Sequence, residues 1–195
     1  YSGFAVLYRT NAQSRALEEA LIYAGIPYKI IGGVRFYDRK EIKDAIAYLR
    51  VFHNPNDSVS WDRCINVPPR GIGKKTLAKI KASKYDIDLI EKSTKGLPWS
   101  RFIGAAPKAK PIELLDAVLK DFGYLEYLND GTEESLARVE NLKELRTVAG
   151  QYETLTEFLE QVALVESSNK ARLENDSVTL MTLHAAKGLE FDTVF

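Results

Sequence analysis

The sequence predicts an α/β fold in which a partial parallel sheet is interrupted by a mostly α-helical insert. Two short apolar runs near the ends of the chain, Phe4–Tyr8 and Val178–Leu183, have the composition of buried strands. A helical pattern joins the first run to a second strand at Tyr28–Ile31, which indicates a β-α-β unit with parallel strands. About 120 residues then precede the last strand, too many for a loop, so a folded insert is predicted.

The first 54 residues are predicted to open the sheet domain. A helix from about Gln13 to Tyr23 follows the first strand, with Asn11 placed as its N-cap, and Gly25 and Pro27 end it. A second helix covers about 40–52, and the Asn-Pro-Asn-Asp run after it breaks the chain. The predicted segments are therefore 1–54 (first part of the sheet domain), 55–174 (helical insert) and 175–195 (return strand).

The insert is predicted to consist of short helices joined by turns. Ser58 is the expected cap of a helix that runs through Cys64, and further helices are expected at about 74–83, 112–122, 133–148 and 155–165. Residues 95–111 contain two glycines and three prolines and are predicted to be a loop. Residues 167–176 are predicted to be a polar return to the sheet.

Composition limits the class of protein. The single cysteine, Cys64, excludes an internal disulfide and fits a reducing compartment, so a cytoplasmic location is expected. No run reaches the roughly 18 apolar residues of a membrane span, so no membrane partner is expected. We expect no secretory signal before the first strand. His53, Cys64 and His184 lack the spacing of metal ligands, so no metal site is predicted.

Charge is balanced overall but unevenly distributed. The chain has 27 basic and 27 acidic residues, and residues 53–84 hold 7 basic but only 2 acidic ones. Residues 85–195 hold 12 basic and 20 acidic side chains. A polyanion would approach the basic stretch, although a lysine-rich, solvated helix face would give the same pattern.

Two groups of residues have the chemistry of phosphate binding. Arg9 and Asn11 directly follow a buried strand, where a guanidinium and an amide can bind a nucleic-acid backbone, unless they only cap and charge the next helix. The second group lies between two predicted helices and comprises Arg70, Gly71, Ile72, Gly73, Lys74, Lys75 and Thr76. Its glycines let backbone N–H groups approach a phosphate at a helix N-terminus, although a plain glycine turn would have a similar sequence.

The second group is not a nucleotide-binding P-loop. That motif requires a glycine five positions before the Gly-Lys pair, where this chain has Pro68, and a serine or threonine where it has Lys75. No Asp-Glu pair follows an apolar run to hold magnesium. The chain therefore lacks the residues that bind and cleave ATP phosphates.

Polar residues also follow the last strand at regular spacing. His184, Lys187 and Glu190 are three residues apart, so they would share one face if the segment were helical. Open α/β sheets bind ligands at the carboxyl ends of their strands. An ordinary solvated turn is the alternative interpretation.

Three stretches together carry a resemblance to a known family: Leu7-Tyr8-Arg9-Thr10-Asn11, Pro69-Arg70-Gly71-Ile72-Gly73 and Thr182-Leu183-His184-Ala185-Ala186-Lys187-Gly188-Leu189-Glu190-Phe191. In this order they resemble motifs of the superfamily 1 DNA helicases of the UvrD/PcrA/Rep type. The resemblance implies part of a second RecA-like domain with its inserted helical domain. It is weakest between about 87 and 174, and it assigns no contacts to residues 87–130.

The resemblance also implies roles for single residues. Arg9, Asn11, Thr182 and His184 would contact single-stranded DNA, and the turn from Arg70 to Thr76 would contact the duplex ahead of the fork. Glu190 would lie near the ribose of ATP. Lys187 and Gly188 would lie between the two sites, with Lys187 assigned to DNA and Gly188 to ATP.

For the whole protein, the resemblance implies a 3′-to-5′ DNA helicase that uses ATP and Mg²⁺, acts in repair or replication, and has repair proteins as possible partners. Both ends of the chain fall at or within predicted strands, so we expect a fragment of a larger helicase, inactive as an ATPase by itself. Two alternatives stay open: a separate DNA- or protein-binding module, and a piece of an AddA/RecB-type helicase-nuclease.

Overall fold

The chain forms two compact units in the computed structural model, which describes residues 1–168 and 176–195. One, called here the sheet unit, comprises Tyr1–Arg39 and Glu160–Phe195; the other, the helical unit, comprises Lys40–Leu159. The predicted polar return at 167–176 falls mostly on residues 169–175, which lie outside the described residues. In the part of the chain that is described, no helix is long and apolar enough to cross a membrane.

In its described residues the sheet unit is built on four strands, β1 (Phe4–Tyr8), β2 (Tyr28–Ile31), β3 (Val178–Thr182) and β4 (Thr193–Val194). Their order is β2-β3-β1-β4, and every pairing is parallel. The prediction that the two ends of the chain meet in one sheet is confirmed, because Ala5 pairs with Thr179 and Tyr8 with Thr182. Strand β3 thus lies between the two strands of the opening β-α-β unit.

A helix covers one face of this sheet. After a 3-10 turn at Asn11–Gln13, α1 (Ser14–Tyr23) places Leu17, Leu21 and Ile22 against the buried side chains of Tyr8, Tyr28, Val178 and Leu180. Four of the five residues of β3 are buried, as expected for an apolar run in the interior of a parallel sheet. The α/β class and the partial parallel sheet are therefore as predicted.

The helical unit contains the remaining helices. They are α2 (Lys40–His53), α3 (Ser58–Cys64), α4 (Lys74–Ala82), α5 (Ile87–Ser93), α6 (Trp99–Ala105), α7 (Pro111–Lys120), α8 (Tyr124–Leu128), α9 (Glu133–Ala149) and α10 (Leu155–Ser168), whose last nine residues belong to the sheet unit. The cap of α3 is Asp57, which accepts the N–H groups of Val59 and Ser60, so the prediction of Ser58 as the cap was wrong.

Helix α2 is the centre of the helical unit, which explains why the observed division lies at residue 40 and not after residue 54. Most of its side chains are buried, and it packs against α3, α6, α7 and α9. Its two buried carboxylates are paired: Glu41 accepts from Asn141 Nδ2 at 2.6 Å, and Asp44 accepts from Arg63 Nε at 2.8 Å and from the Tyr124 hydroxyl at 3.0 Å. Burial beside Asp44 raises the pKa of Tyr124.

An aromatic cluster formed by Tyr48, Phe52, Trp99, Phe102 and Phe122 fills the core of this unit. The prediction of a loop over 95–111 was wrong, because Trp99 and Phe102 lie on α6 with their rings in this cluster. Burial of two large rings outweighs the low helix propensity of Gly104, which faces open space. Helices α5 and α8 were not predicted either.

Candidate nucleic-acid interface

The carboxyl ends of three parallel strands meet at one edge of the sheet. In the strand register Tyr8 lies beside Thr182 and Ile31 beside Met181, and the Leu183 N–H donates to the Tyr8 carbonyl at 3.1 Å. The segments that follow, including Arg9–Asn11 and Leu183–Ala185, therefore begin at the same edge. We call this the sheet edge: Arg9, Asn11, Thr182 and His184.

Close backbone packing supports the sheet edge. Gly32, which follows β2, has a φ of +71°, and a Cβ added there would lie 2.8 Å from the Cβ of Ala185. A side chain at this position would push the turn after β3 away from the turn after β2. A Cβ added at Gly33 would lie 3.5 Å from Asn11 Oδ1, so the segments after β1, β2 and β3 are all in contact.

The polar side chains of the sheet edge are available to solvent. Arg9, Asn11 and His184 are exposed, and Thr182 is half-buried with its Oγ1 accepting the Ala185 N–H at 3.3 Å. The prediction of Asn11 as the helix N-cap was wrong. Thr10 caps the 3-10 turn, and Gln13 Oε1 accepts the N–H groups of Arg9 at 2.9 Å and Thr10 at 3.1 Å.

A buried polar network, which the sequence interpretation missed, supports this edge. Arg39 Nη2 donates to the Asn11 carbonyl at 2.8 Å and to Ser14 Oγ at 2.7 Å. Glu18 accepts from Ser14 Oγ at 2.7 Å, from the Tyr28 hydroxyl at 3.1 Å and from the Phe36 N–H at 3.1 Å.

Glu18 is 3% exposed, and its burial raises the pKa of its carboxyl group, although these hydrogen bonds and the charge of Arg39 oppose the rise. A signal was present in the sequence: Ser14, Glu18 and Leu21 share one face of α1, so a carboxylate falls on the face that packs inward.

The segment after β3 is a series of turns, so the expected helical face for His184, Lys187 and Glu190 is not formed. The Ala186 N–H donates to the Thr182 carbonyl at 3.1 Å and the Leu189 N–H to the Ala186 carbonyl at 3.0 Å. Gly188 then adopts a φ of +85°, which favours glycine and turns the chain. His184, Lys187, Gly188 and Glu190 are all exposed.

Glu190 lies at the other end of the strands. The chain after it enters β4, where the Thr193 N–H donates to the Gly3 carbonyl at 3.0 Å, close to the start of β1. Ser2, Gly3, Glu190, Phe191 and Asp192 line a polar pocket of about 500 Å³ there. The structure thus separates Glu190 from Thr182 and His184 by the length of β1.

In the helical unit, a turn joins α3 to α4. Gly71 has a φ of +75°, and Gly73 is the N-cap of α4 and supplies no side-chain hydrogen bond. A Cβ added at either glycine would meet nothing within 4 Å. Packing within the unit therefore leaves the space above the turn open.

The other predicted residues of this turn differ in exposure. Lys74 and Lys75 are exposed on the first turn of α4, and Thr76 is half-buried. The Ile72 side chain is buried beneath the turn and is 8% exposed. Ile72 therefore anchors the turn, while the two lysines supply its positive charge.

Arg70 points into the helical unit. Its Nη1 donates to the carbonyls of Cys64, Ile65 and Pro68 at 3.1–3.3 Å, and its Nη2 donates to the Tyr48 hydroxyl and, at 3.3 Å, to the Phe122 carbonyl. The guanidinium also lies within about 6 Å of the Tyr48, Trp99 and Phe122 rings. These contacts give Arg70 a structural role, and its contact with DNA stays a prediction.

The structure thus brings the predicted residues together in two places. Arg9, Asn11, Thr182 and His184 share the sheet edge, and 70–76 form the turn of the helical unit. Among the described residues, no group of three or more His, Cys, Asp or Glu side chains is placed to hold a metal ion.

Comparison with known proteins gives a consistent match. The UvrD-like helicase C-terminal domain family matches residues 1–195. The ATP-dependent DNA helicase PcrA of Staphylococcus aureus (strain Mu50 / ATCC 700699) is 41% identical over 223 residues, which covers 100% of this chain and 30% of that protein. PcrA of Staphylococcus epidermidis (strain ATCC 12228 / FDA PCI 1200) is 42% identical over 227 residues, with the same coverage.

The chain spans 30% of the length of these relatives. Both aligned lengths exceed the 195 residues of this chain, so each relative has additional residues within the matched region. The family match nevertheless covers the sheet unit and the helical unit alike. The chain belongs to the UvrD-like helicase C-terminal domain family.

Proposed function

We propose that this chain is the part of an ATP-dependent, 3′-to-5′ DNA helicase that holds DNA at two places, the sheet edge and the turn before α4. The observation that carries the proposal is the strand register, which brings Arg9 and Asn11 beside Thr182 and His184 although the two pairs are far apart in sequence. Family membership and the printed name of the relatives, ATP-dependent DNA helicase, support the same function.

At the sheet edge the proposed ligand is single-stranded DNA. Arg9, Asn11 and His184 are exposed, Thr182 is half-buried, and the segments that carry them begin at the same end of paired strands. Arginine and asparagine side chains bind phosphate and sugar oxygens without selecting a base. Arg39 holds the main-chain carbonyl of Asn11, which reduces the ordering that DNA binding would otherwise require.

At the turn before α4 the proposed ligand is the backbone of duplex DNA. Gly71 and Gly73 leave open space above the turn, and Lys74 and Lys75 are exposed beside it. The first N–H groups of a helix have no intrahelical acceptor and carry partial positive charge, so they attract a phosphate. Such contacts bind any sequence, as an enzyme that moves along DNA requires.

The nucleotide is proposed to be ATP with Mg²⁺, used by the whole helicase. Glu190, beside the polar pocket that it shares with Ser2, Gly3 and Asp192, is the candidate ribose contact, with Gly188 nearby in the chain. Lys187 lies in the turns between His184 and Glu190, where it would couple the two ligands. Because the sequence contains no P-loop, we predict no ATP turnover by the isolated chain, and phosphate release at helicase rates would contradict this.

Fluorescence anisotropy with labelled DNA tests the proposal. We expect Asn11→Ala with His184→Ala to weaken binding of a single-stranded oligonucleotide at least fivefold and to leave duplex binding unchanged. We expect Lys75→Ala to weaken duplex binding and to reduce the slope of log K against log[salt] by about 0.9, the value for one phosphate contact.

A lysine of the same helix provides the matched control. Lys81 has the same charge, but its Nζ is paired with Asp62 Oδ2 at 2.6 Å. Lys81→Ala should therefore leave the salt slope unchanged. Equal effects of the two lysine substitutions would show that only total charge matters, and absence of measurable DNA binding by the unaltered chain would refute the proposal.

A further inference from the structure

One side chain, that of Asn66, holds the turn between α3 and α4. Its Oδ1 accepts the Arg70 N–H at 2.8 Å and the Ile72 N–H at 3.4 Å, and its Nδ2 donates to the Ile72 carbonyl at 3.3 Å. The amide therefore bonds the residues on both sides of Gly71. It fixes the short stretch of main chain in which Gly71 adopts its left-handed conformation.

The N–H groups that Asn66 does not use are the ones that a phosphate needs. Within the described part of the chain, the N–H groups of Gly71 and Gly73 have no acceptor. No side chain caps α4, so the N–H groups of its first turn, which have no intrahelical acceptor, are not bonded by a cap either. Asn66 thus pairs the N–H groups of Arg70 and Ile72 and leaves those of Gly71 and Gly73 unpaired.

Glycine makes such a turn flexible unless something holds it. A glycine gains more conformational freedom in a loosened chain than any other residue, and the turn contains two. A phosphate that had to order the turn on binding would lose part of its binding free energy to that ordering. Three hydrogen bonds made by the exposed Asn66 side chain reduce this freedom before the ligand arrives.

Resting on the proposed function, we propose that Asn66 is the positioning residue of the duplex-phosphate site. It acts through the main chain of Gly71 and Gly73 and makes no contact with DNA itself. Arg70 completes the support from the other side, because its guanidinium binds the carbonyls of Cys64, Ile65 and Pro68. The phosphate is bound by main-chain N–H groups together with Lys74 and Lys75.

The first test compares Asn66→Ala with Asn56→Ala in the full 195-residue chain. Asn56 is an exposed asparagine of the same unit; its main-chain N–H donates to Asn54 Oδ1, and its side chain has no hydrogen bond among the described residues. Anisotropy of a labelled 16-base-pair duplex would be measured from 50 to 200 mM NaCl. We expect Asn66→Ala to bind about tenfold more weakly with an unchanged salt slope, because the same phosphate contacts form once the turn is ordered, and Asn56→Ala to match the unaltered chain.

The outcomes separate the inference from the proposed function. Duplex binding by the unaltered chain with no change in Asn66→Ala would overturn the positioning role only. Weaker binding with a salt slope smaller by about 0.9 would show that a charged phosphate contact is lost, which a change in the ordering of the turn does not cause, and would also overturn it. No duplex binding by the unaltered chain would refute the proposed function itself.

A second measurement does not depend on a variant that folds. In ¹H–¹⁵N spectra of the unaltered chain titrated with the same duplex, we expect the main-chain resonances of Gly71 and Gly73 to shift. The side-chain amide resonance of Asn66 should keep its position, because its Nδ2 remains bonded to the Ile72 carbonyl. An equally large shift of the Asn66 side-chain resonance would show direct contact with DNA and overturn the positioning role.

Discussion

Replacing Arg70 with methionine tests whether this residue serves the fold or the DNA. The guanidinium joins α2, the end of α3, the following turn and the residue Phe122 after α7 through five hydrogen bonds. Methionine fills a similar volume but donates no hydrogen bond. The substitution therefore removes the donors and leaves most of the packing in place.

The cost follows from the acceptors that lose their donor. Of these, the Cys64 carbonyl keeps the Val67 N–H at 3.1 Å, whereas the carbonyls of Ile65, Pro68 and Phe122 have no other donor among the described residues. Three unsatisfied, half-buried carbonyls at about 1 kcal/mol each, with roughly 1 kcal/mol for the lost cation–π contacts, give about 4 kcal/mol. A typical domain has only about 5–15 kcal/mol of stability in total.

Urea unfolding followed by tryptophan fluorescence measures this change. Both tryptophans of the chain, Trp61 and Trp99, are fully buried in the helical unit, so the signal reports on the unit that contains Arg70. Arg101→Met is the matched control, because Arg101 is exposed on α6 and its guanidinium lies 5.4 Å from the Phe102 ring. It should change the free energy of unfolding by no more than about 0.5 kcal/mol.

One result would refute this reasoning. If Arg70→Met lost less than about 1 kcal/mol of stability, within the range of ordinary surface substitutions, while duplex affinity fell as far as in Lys75→Ala, Arg70 would be a DNA ligand. The inward contacts would then not be its main role.

Three further predictions concern other positions. Thr179→Val should stabilise the chain by about 1 kcal/mol in thermal unfolding, because the buried Thr179 hydroxyl has no hydrogen-bond partner among the described residues; destabilisation would indicate a partner. Burial raises the pKa of the Glu18 carboxyl group above 4.5 in the folded state. The protonated carboxyl group therefore stabilises the fold below that pH, and this stabilisation is lost as pH rises through the folded-state pKa. Stability of Glu18→Gln relative to the unaltered chain should therefore rise between pH 4.5 and 8, and a flat difference would contradict the shift. Gly32→Ala should lower the free energy of unfolding by about 2 kcal/mol through left-handed strain and collision with Ala185. Gly104→Ala, in a helix beside open space, should raise it by about 0.5 kcal/mol. Calorimetry of both variants measures the two changes, and equal effects would contradict the collision.

Local sequence patterns were sufficient to predict those segments whose structure depends on their own residues. The strands Phe4–Tyr8 and Tyr28–Ile31 have the predicted bounds, since an apolar run between turn residues is a local property. Helix α10 begins at residue 155 as predicted, with Thr154 and Glu157 bonding each other's main chain in a capping box. By contrast, α6 was missed because its helix is stabilised by burying Trp99 and not by local propensity.

Part of the candidate site could also be predicted from local residues alone. Glycines at 71 and 73 and lysines at 74 and 75 identified the phosphate turn, because the required conformation and charge belong to those residue types. The side chain that holds the turn, Asn66, gave no comparable signal. Its three bonds depend on how the chain folds back on itself.

By itself the sequence determined the α/β class, most elements, the meeting of the two ends in one sheet and the residue types able to bind phosphate. Only the tertiary structure decided that β3 lies between β1 and β2, that Arg70 turns inward, and that Glu190 lies at the opposite end of the strands from His184. The physical reason is the same in each case. Strand order and side-chain direction depend on partners that are distant in sequence, whereas strand formation and chemical type depend on the residues themselves.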